Sequence, residues 1–349
     1  MKSLMSKYSL MFKKITPIPN AKKLIDIAFS RSRKQSASVP KRAPSLIKAK
    51  RKELMRVNVA YKELTNRLKR IVHDFPPLDE LHPFYYNLIN ALVDVIQVKK
   101  ALASLDGASQ VLKKIYLQYR KKISGANDAK VIASLRKAAF GRFASVIKKL
   151  DDRLIFLQKV RNTLKSLPSI DPNLITIVVA GAPNVGKSTF VEKVSSAKPE
   201  IDVYPFTTKN IIVGHFEESE LGKIQIIDTP GLLDRPLEKR NKIELKAIMA
   251  IKYLAAYIIF ILDPSETCGM SIKNQLSLYK SIMNTFKIPI VPVLNKVDLA
   301  SPDTIKHLEE LLGSPLKMSA LHGDNVDSVM QYVIDELKSK RRNVNKQHK

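Results

Sequence analysis

Gly181-Ala182-Pro183-Asn184-Val185-Gly186-Lys187-Ser188 decides the reading of this chain. The run follows the apolar stretch Leu174 to Ala180 and opens the helix-compatible stretch Ser188 to Ala197. Two glycines with four residues between them, then Lys and Ser, have the spacing of a phosphate-binding P-loop. The glycines let backbone N–H groups turn inward around a phosphate, and the helix N-terminus adds a favourable dipole. Lys187 is expected to reach the β- and γ-phosphates, and the Ser188 hydroxyl to hold Mg²⁺. Gly181, Ala182, Pro183, Asn184, Val185 and Gly186 form the loop around the nucleotide, and Thr189 follows in the first helical turn.

Four more segments follow in the order a guanine-nucleotide site requires. Asp228-Thr229-Pro230-Gly231 ends the apolar run Ile224 to Ile227. Asp228 can hold a Mg²⁺-bound water there, and the Gly231 N–H can meet the γ-phosphate. Asn295-Lys296-Val297-Asp298 ends the run Ile288 to Leu294. Asp298 can accept from guanine N1–H and the exocyclic amine, a donor pair that adenine does not present. Lys296 would lie along the base, and Asn295 would tie this loop to the P-loop. Ser319-Ala320-Leu321, after Leu316 to Met318, would give a backbone N–H to guanine O6. Tyr204-Pro205-Phe206-Thr207-Thr208-Lys209 lies between the P-loop and Asp228, where a second Mg²⁺ ligand is needed. That ligand is assigned to Thr208, with Thr207 as the second choice. Taken singly each segment is ordinary, since Asn-Lys-Val-Asp alone usually marks a turn. Their order, each at the end of an apolar run, selects GTP and GDP.

The same runs imply the fold. Apolar stretches at 174–180, 210–215, 223–228, 257–263, 288–294 and 316–319 alternate with helix-like stretches at 187–197, 238–254, 271–285, 302–312 and 323–338. Such alternation predicts an α/β domain at 173–338, a P-loop GTPase sheet that is mostly parallel with helices on both faces. The ligand loops all fall at carboxyl ends of strands, as expected for an open α/β sheet.

Hydrolysis needs charge neutralisation and a placed water. Lys187, the Gly231 N–H and a Mg²⁺ held by Ser188, Thr208 and, through water, Asp228 would supply the first. Ras-like enzymes place the water with a glutamine directly after the glycine of the third motif, where this chain has Leu232. Two substitutes are open. Asn184 resembles the asparagine that helps bind K⁺ in potassium-activated GTPases, or a partner completes the site. Turnover is expected to be slow without K⁺ or such an activating partner.

The charge is unevenly spread. Of 60 Lys+Arg and 32 Asp+Glu, residues 1–172 hold 37 and 12, a net of +25, which leaves 23 and 20, a net of +3, for 173–349. Five of those 23 lie in a basic tail, 339–349. Such asymmetry points to a polyanionic partner. Residues 1–172 read as an all-α, four-helix-bundle-like N-terminal domain, with helices at about 45–73, 83–104 and 108–123 and a long one from Ile132 to Leu167. Gly141 inside that last helix suggests close packing. A basic linker is expected at about 31–44. No apolar run reaches the roughly 18 residues of a spanning helix, so no membrane is implied. RNA is favoured over duplex DNA because no DNA-reading motif occurs. The single Cys268 excludes an intramolecular disulfide and suits a reducing compartment. Nothing implies an oligomer.

Matches outside the generic nucleotide motifs are more specific. Phe12-Lys13-Lys14-Ile15, Asp74-Phe75-Pro76-Pro77-Leu78-Asp79, His82-Pro83-Phe84-Tyr85, Lys137-Ala138-Ala139-Phe140-Gly141-Arg142 and Leu167-Pro168-Ser169-Ile170-Asp171-Pro172-Asn173 resemble the nucleolar GTP-binding protein 1 family, a branch of the Obg-related GTPases. So do Phe206-Thr207-Thr208-Lys209, Asp228 to Asp234 and Pro236-Leu237-Glu238. The resemblance implies a factor for large ribosomal subunit assembly, with ribosomal RNA and the precursor large subunit as partners. It also implies Thr208 as the Mg²⁺ ligand. The short form resembles archaeal members, which places it in the cytoplasm, or the nucleolus in a eukaryote. Two other readings stand beside this one: an Obg-like GTPase acting on mature ribosomes, and an RNA-binding module in which GTP is structural.

Overall fold

The computed structural model describes residues 7–35, 42–205, 210–234 and 240–347. Its helices are α1 (Lys7–Lys14), α2 (Ala21–Lys34), α3 (Ser45–Asp74), α4 (Pro83–Leu92), α5 (Val95–Gly125), α6 (Ala129–Lys148) and α7 (Asp151–Lys165) in the first half. The second half adds α8 (Lys187–Val194), α9 (Lys242–Ala250), α10 (Ile272–Phe286), α11 (Pro302–Leu312) and α12 (Val326–Gln347). Its strands are β1 (Ile175–Gly181), β2 (Glu200–Asp202), β3 (Ile211–Glu218), β4 (Gly222–Asp228), β5 (Ala255–Leu262), β6 (Ile290–Leu294) and β7 (Leu316–Lys317).

Two compact units result. One holds Leu10–Pro77 and Val93–Lys165, and the other holds Met1–Ser9, Leu78–Leu92 and Ser166–Lys349. In the first, α2, α3, α5 and α6 pack as a four-helix bundle, α3 lying against all three others. Leu24, Leu64, Leu68, Leu105, Leu112, Ile132 and Phe143 are fully buried there. Each such side chain stabilises the fold by about 1.5–3 kcal/mol relative to exposure. Aspartates start two of these helices. Asp94 accepts from the Ile96 and Gln97 amides at 2.9 and 3.1 Å, and Asp128 from Lys130 and Val131 at 2.7 and 2.9 Å.

These caps explain where the helices depart from expectation. The stretch read as 83–104 and 108–123 breaks instead before Asp94, whose carboxylate caps the helix that follows. The long last helix breaks at Lys149–Leu150, where Asp151 and Asp152 begin a new first turn that favours negative charge. The apolar stripe survives the break. Ile132, Ala139, Phe143, Ile147, Leu150, Leu154, Leu157, Val160, Leu164 and Leu167 are all buried, and only Leu135 is half-exposed. Gly141 marks no close packing, since beyond its own stretch of helix no atom lies within 4 Å of where its Cβ would stand. The basic linker begins later than 31, because α2 runs to Lys34, and residues 36–41 lie outside the described ones.

The second unit carries a seven-stranded sheet in the order β2-β3-β4-β1-β5-β6-β7. Strands β4, β1, β5, β6 and β7 are parallel, while β2 and β3 run antiparallel to their neighbours. The continuous apolar strands are buried on both sides. Ile177 and Val179 of β1 join a core with Phe190 of α8 and Val333 of α12. On the opposite face Phe260 of β5 meets Tyr279 of α10, ring centroids 5.2 Å apart.

The unit boundary departs from a cut at 172/173. Residues 78–92 and 166–172 belong with the sheet, for a visible reason: the Tyr85 hydroxyl of α4 is buried 2.7 Å from the carbonyl oxygens of both Pro168 and Ile170. The Asp171 amide in turn donates to Gln225 of β4 at 3.2 Å. The residues read as a tail at 339–349 also differ from expectation, because α12 continues helical to Gln347. Lys338 pairs with Glu218 at 2.9 Å and Glu220 at 3.0 Å, which holds this part of α12 to the β3–β4 turn.

Candidate functional site: the loops at the carboxyl ends of the strands

Strand β1 delivers its chain directly into the loop 181–188, and two glycines there are dictated by space. Gly181 has φ +139°, and a Cβ on it would lie 2.3 Å from the Ile261 carbonyl oxygen of neighbouring β5. Gly186 has φ +99°, and a Cβ on it would lie 2.3 Å from Asn295 Nδ2. Only glycine lets the loop pass this close to backbone and side chain. Gly181→Ala is therefore expected to destabilise the fold by about 2–4 kcal/mol, read as a lowered midpoint in urea unfolding. An unchanged midpoint would mean that β1 and β5 can separate freely at this point.

A cavity of about 480 Å³ lies over the loop, lined by Pro183, Asn184, Gly186, Lys187, Ser188, Thr189, Asn210, Asp228, Pro230 and Asp234. Ala182 and Val185 turn their side chains into the core instead. Asn184 sits at φ +61°, a left-handed conformation that Asn tolerates better than most residues. The Lys187 ammonium is buried and donates to the carbonyls of Gly181 at 2.9 Å and Ala182 at 2.6 Å.

The Ser188 hydroxyl donates to Asp228 Oδ2 at 2.6 Å. Asp228 itself is fully buried, and its other oxygen, Oδ1, has no hydrogen-bond partner among the described residues. Burial pushes its carboxyl above the usual range, against the opposing pull of the Ser188 hydrogen bond and the Lys187 charge. A buried carboxylate with an open oxygen beside a serine hydroxyl is the donor set that a hard cation such as Mg²⁺ takes. Thr208, and Thr207 with it, lie outside the described residues.

The Gly231 N–H, expected to meet a γ-phosphate, donates here to Asp234 Oδ2 at 2.9 Å. Leu232 follows it and is only 2% exposed, so its side chain is committed to the core.

The remaining loops meet through one side chain. Asn295 Nδ2 donates to the Val185 carbonyl at 2.7 Å, and its Oδ1 accepts from the Ala320 amide at 2.8 Å. One buried asparagine thereby joins the P-loop, the loop after β6 and the loop after β7. Asp298 is held below the usual carboxylate range, first by the Ser319 hydroxyl. His322 Nε2 approaches it at 3.7 Å. Leu321 is exposed beside them, at 73%. The Lys296 ammonium binds Asp263 Oδ2 at 2.7 Å and Thr267 Oγ1 at 2.9 Å. Burial would raise Asp263, but the hydrogen bonds from Lys296, Ser265 and Thr267 outweigh it and hold the carboxyl low.

A family model described as the NOG1 N-terminal helical domain matches residues 12–171, and one described as nucleolar GTP-binding protein 1 matches residues 242–298. A protein of Methanocaldococcus jannaschii, described as uncharacterized, is 39% identical over 86% of this chain and 85% of its own length. The chain belongs to the nucleolar GTP-binding protein 1 family. The family's Encephalitozoon cuniculi member is 37% identical over 94% of this chain, and the Drosophila melanogaster member 38% over 84%. The chain spans 63% and 45% of the length of these two curated relatives. A crystal structure of a Plasmodium falciparum nucleolar GTP-binding protein 1 is 41% identical, covering 51% of this chain and 93% of that one with a TM-score of 0.44.

In this nucleolar GTP-binding protein 1 family member, sequence reasoning missed three residues around the site. Asp263 stands just beyond the carboxyl end of β5, a position where ligand loops gather, and that position was the available signal. Asp234 lay within a matched segment but was given no role. Asn210 carried no signal in the sequence.

Proposed function

We propose that this chain is a GTP-binding and GTP-hydrolysing switch that binds ribosomal RNA and acts in assembly of the large ribosomal subunit. The observation that carries the nucleotide part is Asn295, whose two hydrogen bonds bring the phosphate loop and the base-reading loops to one place. In this reading Gly181 to Thr189 cradle the phosphates and Lys187 neutralises the transferred group's charge. Asp298, Lys296 and the Ser319-Ala320-Leu321 backbone select guanine. Ser188, Thr208 and, through water, Asp228 would hold Mg²⁺, which supplies charge neutralisation at the β- and γ-phosphates when bound. Asn184, at the cavity wall, is the candidate for a K⁺ contact.

The RNA part rests on charge. Between Gly107 and Leu150 there are eleven Lys+Arg and a single acid, Asp128. The Asp128 carboxylate, which caps α6, offsets only one of those eleven charges. A solvated face normally mixes signs. No helix among the described residues is long and apolar enough to cross a membrane. The nucleolar names of the relatives accord with ribosomal RNA as the polyanion and with a nucleolar site in a eukaryote, or a cytoplasmic one elsewhere.

The buried Leu232 favours a second reading, in which GTP is structural and turnover incidental. Single-turnover hydrolysis with and without precursor large subunits, in KCl and in NaCl, separates the two. The switch predicts faster hydrolysis with precursor particles than with mature ones, and faster in KCl. Equal rates in the two salts would remove Asn184 from the mechanism. Equal rates with and without particles would favour structural GTP, and stimulation by mature ribosomes alone would favour the Obg-like reading.

A further inference from the structure

Asp234 touches the proposed nucleotide site at its phosphate end and has no part in the scheme above. Its Oδ2 accepts from the Gly231 N–H at 2.9 Å, while its Oδ1 accepts from Arg240 Nη2 at 3.1 Å. The same Arg240 Nη2 donates to the Leu232 carbonyl at 2.9 Å, and that side chain is 1% exposed. A buried guanidinium thus holds a carboxylate against the wall of the cavity that Lys187, Ser188 and Asp228 also line. The Asp234 side chain remains 14% exposed toward that cavity.

We propose that Asp234 competes with the terminal phosphate of a nucleoside triphosphate for the Gly231 N–H, and so sets the preference between tri- and diphosphate. The inference rests on reading the cavity as a nucleotide site. One backbone N–H satisfies one strong acceptor, and a carboxylate and a phosphate oxygen are both anionic acceptors of the charge-assisted kind. They also repel each other in a partly desolvated cavity. A diphosphate ends one phosphate short of Gly231 and leaves the Asp234–Gly231 bond intact. A triphosphate gains the Gly231 N–H only by displacing Asp234, which stays tethered to Arg240. The carboxylate therefore lowers affinity for the triphosphate and leaves that for the diphosphate nearly unchanged. The P-loop carbonyls of Gly181 and Ala182 hold Lys187 instead, so Asp234 is the competitor at the Gly231 N–H.

The test is titration calorimetry of the full chain with Mg²⁺, using GDP and a non-hydrolysable GTP analogue as separate ligands. Asp234→Ala is expected to raise analogue affinity roughly tenfold, the size of one charge-assisted hydrogen bond, with GDP affinity held within about twofold. Asp234→Asn keeps the shape and one acceptor but removes the charge, so its gain should be smaller and in the same direction. A purely structural Asp234 would instead weaken both ligands together, since loosening Arg240 disturbs the whole loop. An analogue-to-GDP affinity ratio that is unchanged or lowered in both variants overturns the proposal. If Asp234→Ala no longer binds GDP, the ratio measured for Asp234→Asn decides. Failure of the unaltered chain to bind either ligand would sink the nucleotide-site reading itself, which is a different result.

Discussion

Asp298→Asn is expected to exchange guanine for xanthine. The Asp298 carboxylate is an acceptor with no proton of its own, held low first by the Ser319 hydroxyl. Guanine presents two donors side by side, N1–H and the exocyclic amine, and a carboxylate meets both. An asparagine in its place offers one oxygen and one NH₂, so a donor faces a donor. Xanthine carries an oxygen where guanine carries the amine, and the asparagine NH₂ then has an acceptor. Sites built to hydrogen-bond a substrate group reject the mismatched analogue by about 10⁴-fold or more, because buried polar atoms are left unpaired. Here the Asp298 side chain is 32% exposed, which lets water repair part of the mismatch, so a loss of roughly 10³-fold for GTP is expected. XTP should bind the variant better than GTP does. The measurement is competitive displacement of a fluorescent nucleotide by GTP, GDP and XTP. Retention of full GTP affinity would show that the base lies elsewhere, whatever the P-loop holds. The fold should survive the change, because Asp298 sits on a loop at the surface, whereas Asn295 beside it is 2% exposed and carries the loop junction.

Much of this arrangement was legible in the residues because strand, loop and helix were set by local rules. Continuous apolar runs gave the parallel strands, since burial on two faces removes the need for alternation. Gly181 and Gly186 could be read because their spacing reports a backbone demand that no other residue meets. The place of Asn295 at the head of Asn295-Lys296-Val297-Asp298 implies a tie to the P-loop, and its Nδ2 donates to the Val185 carbonyl. What stayed hidden depends on contacts distant along the chain. The short β2 is three residues long, with two of them exposed, so it has no hydrophobic pattern to find. The assignment of α4 to the sheet unit rests on Tyr85 reaching carbonyls more than 80 residues away. Periodicity could not place the break at Lys149–Leu150, because the apolar stripe runs through it unbroken. The Asp234–Arg240 pair was invisible for a similar reason: an ion pair with a buried guanidinium has no signature in spacing or composition.

The second large effect concerns the basic helices, and it is an effect of salt. If the helical unit holds RNA by its phosphates, binding must release the cations condensed on them, and affinity must fall linearly in log–log form as salt rises. Eleven Lys+Arg between Gly107 and Leu150, with one acid among them, are enough for six or more phosphate contacts. Between 50 and 200 mM salt a site of that kind loses roughly 10³-fold in affinity or more. The full chain, titrated by fluorescence anisotropy against a structured ribosomal RNA fragment across that range, gives the slope directly. Lys113→Ala, Lys121→Ala and Lys148→Ala remove exposed charges from α5 and α6 without touching the bundle core. Each should weaken binding on every RNA tested and reduce the slope by about one. The same changes should leave nucleotide affinity as it was, since none of the three residues lines the nucleotide cavity. A flat salt dependence would mean that the positive charge is only a solvated surface. A steep slope indifferent to all three substitutions would move the RNA to other cations, the basic end of α12 first among them, where Arg341 and Arg342 are exposed although they reach the Glu220 carbonyl and carboxylate, and Lys338 is held by Glu218 and Glu220.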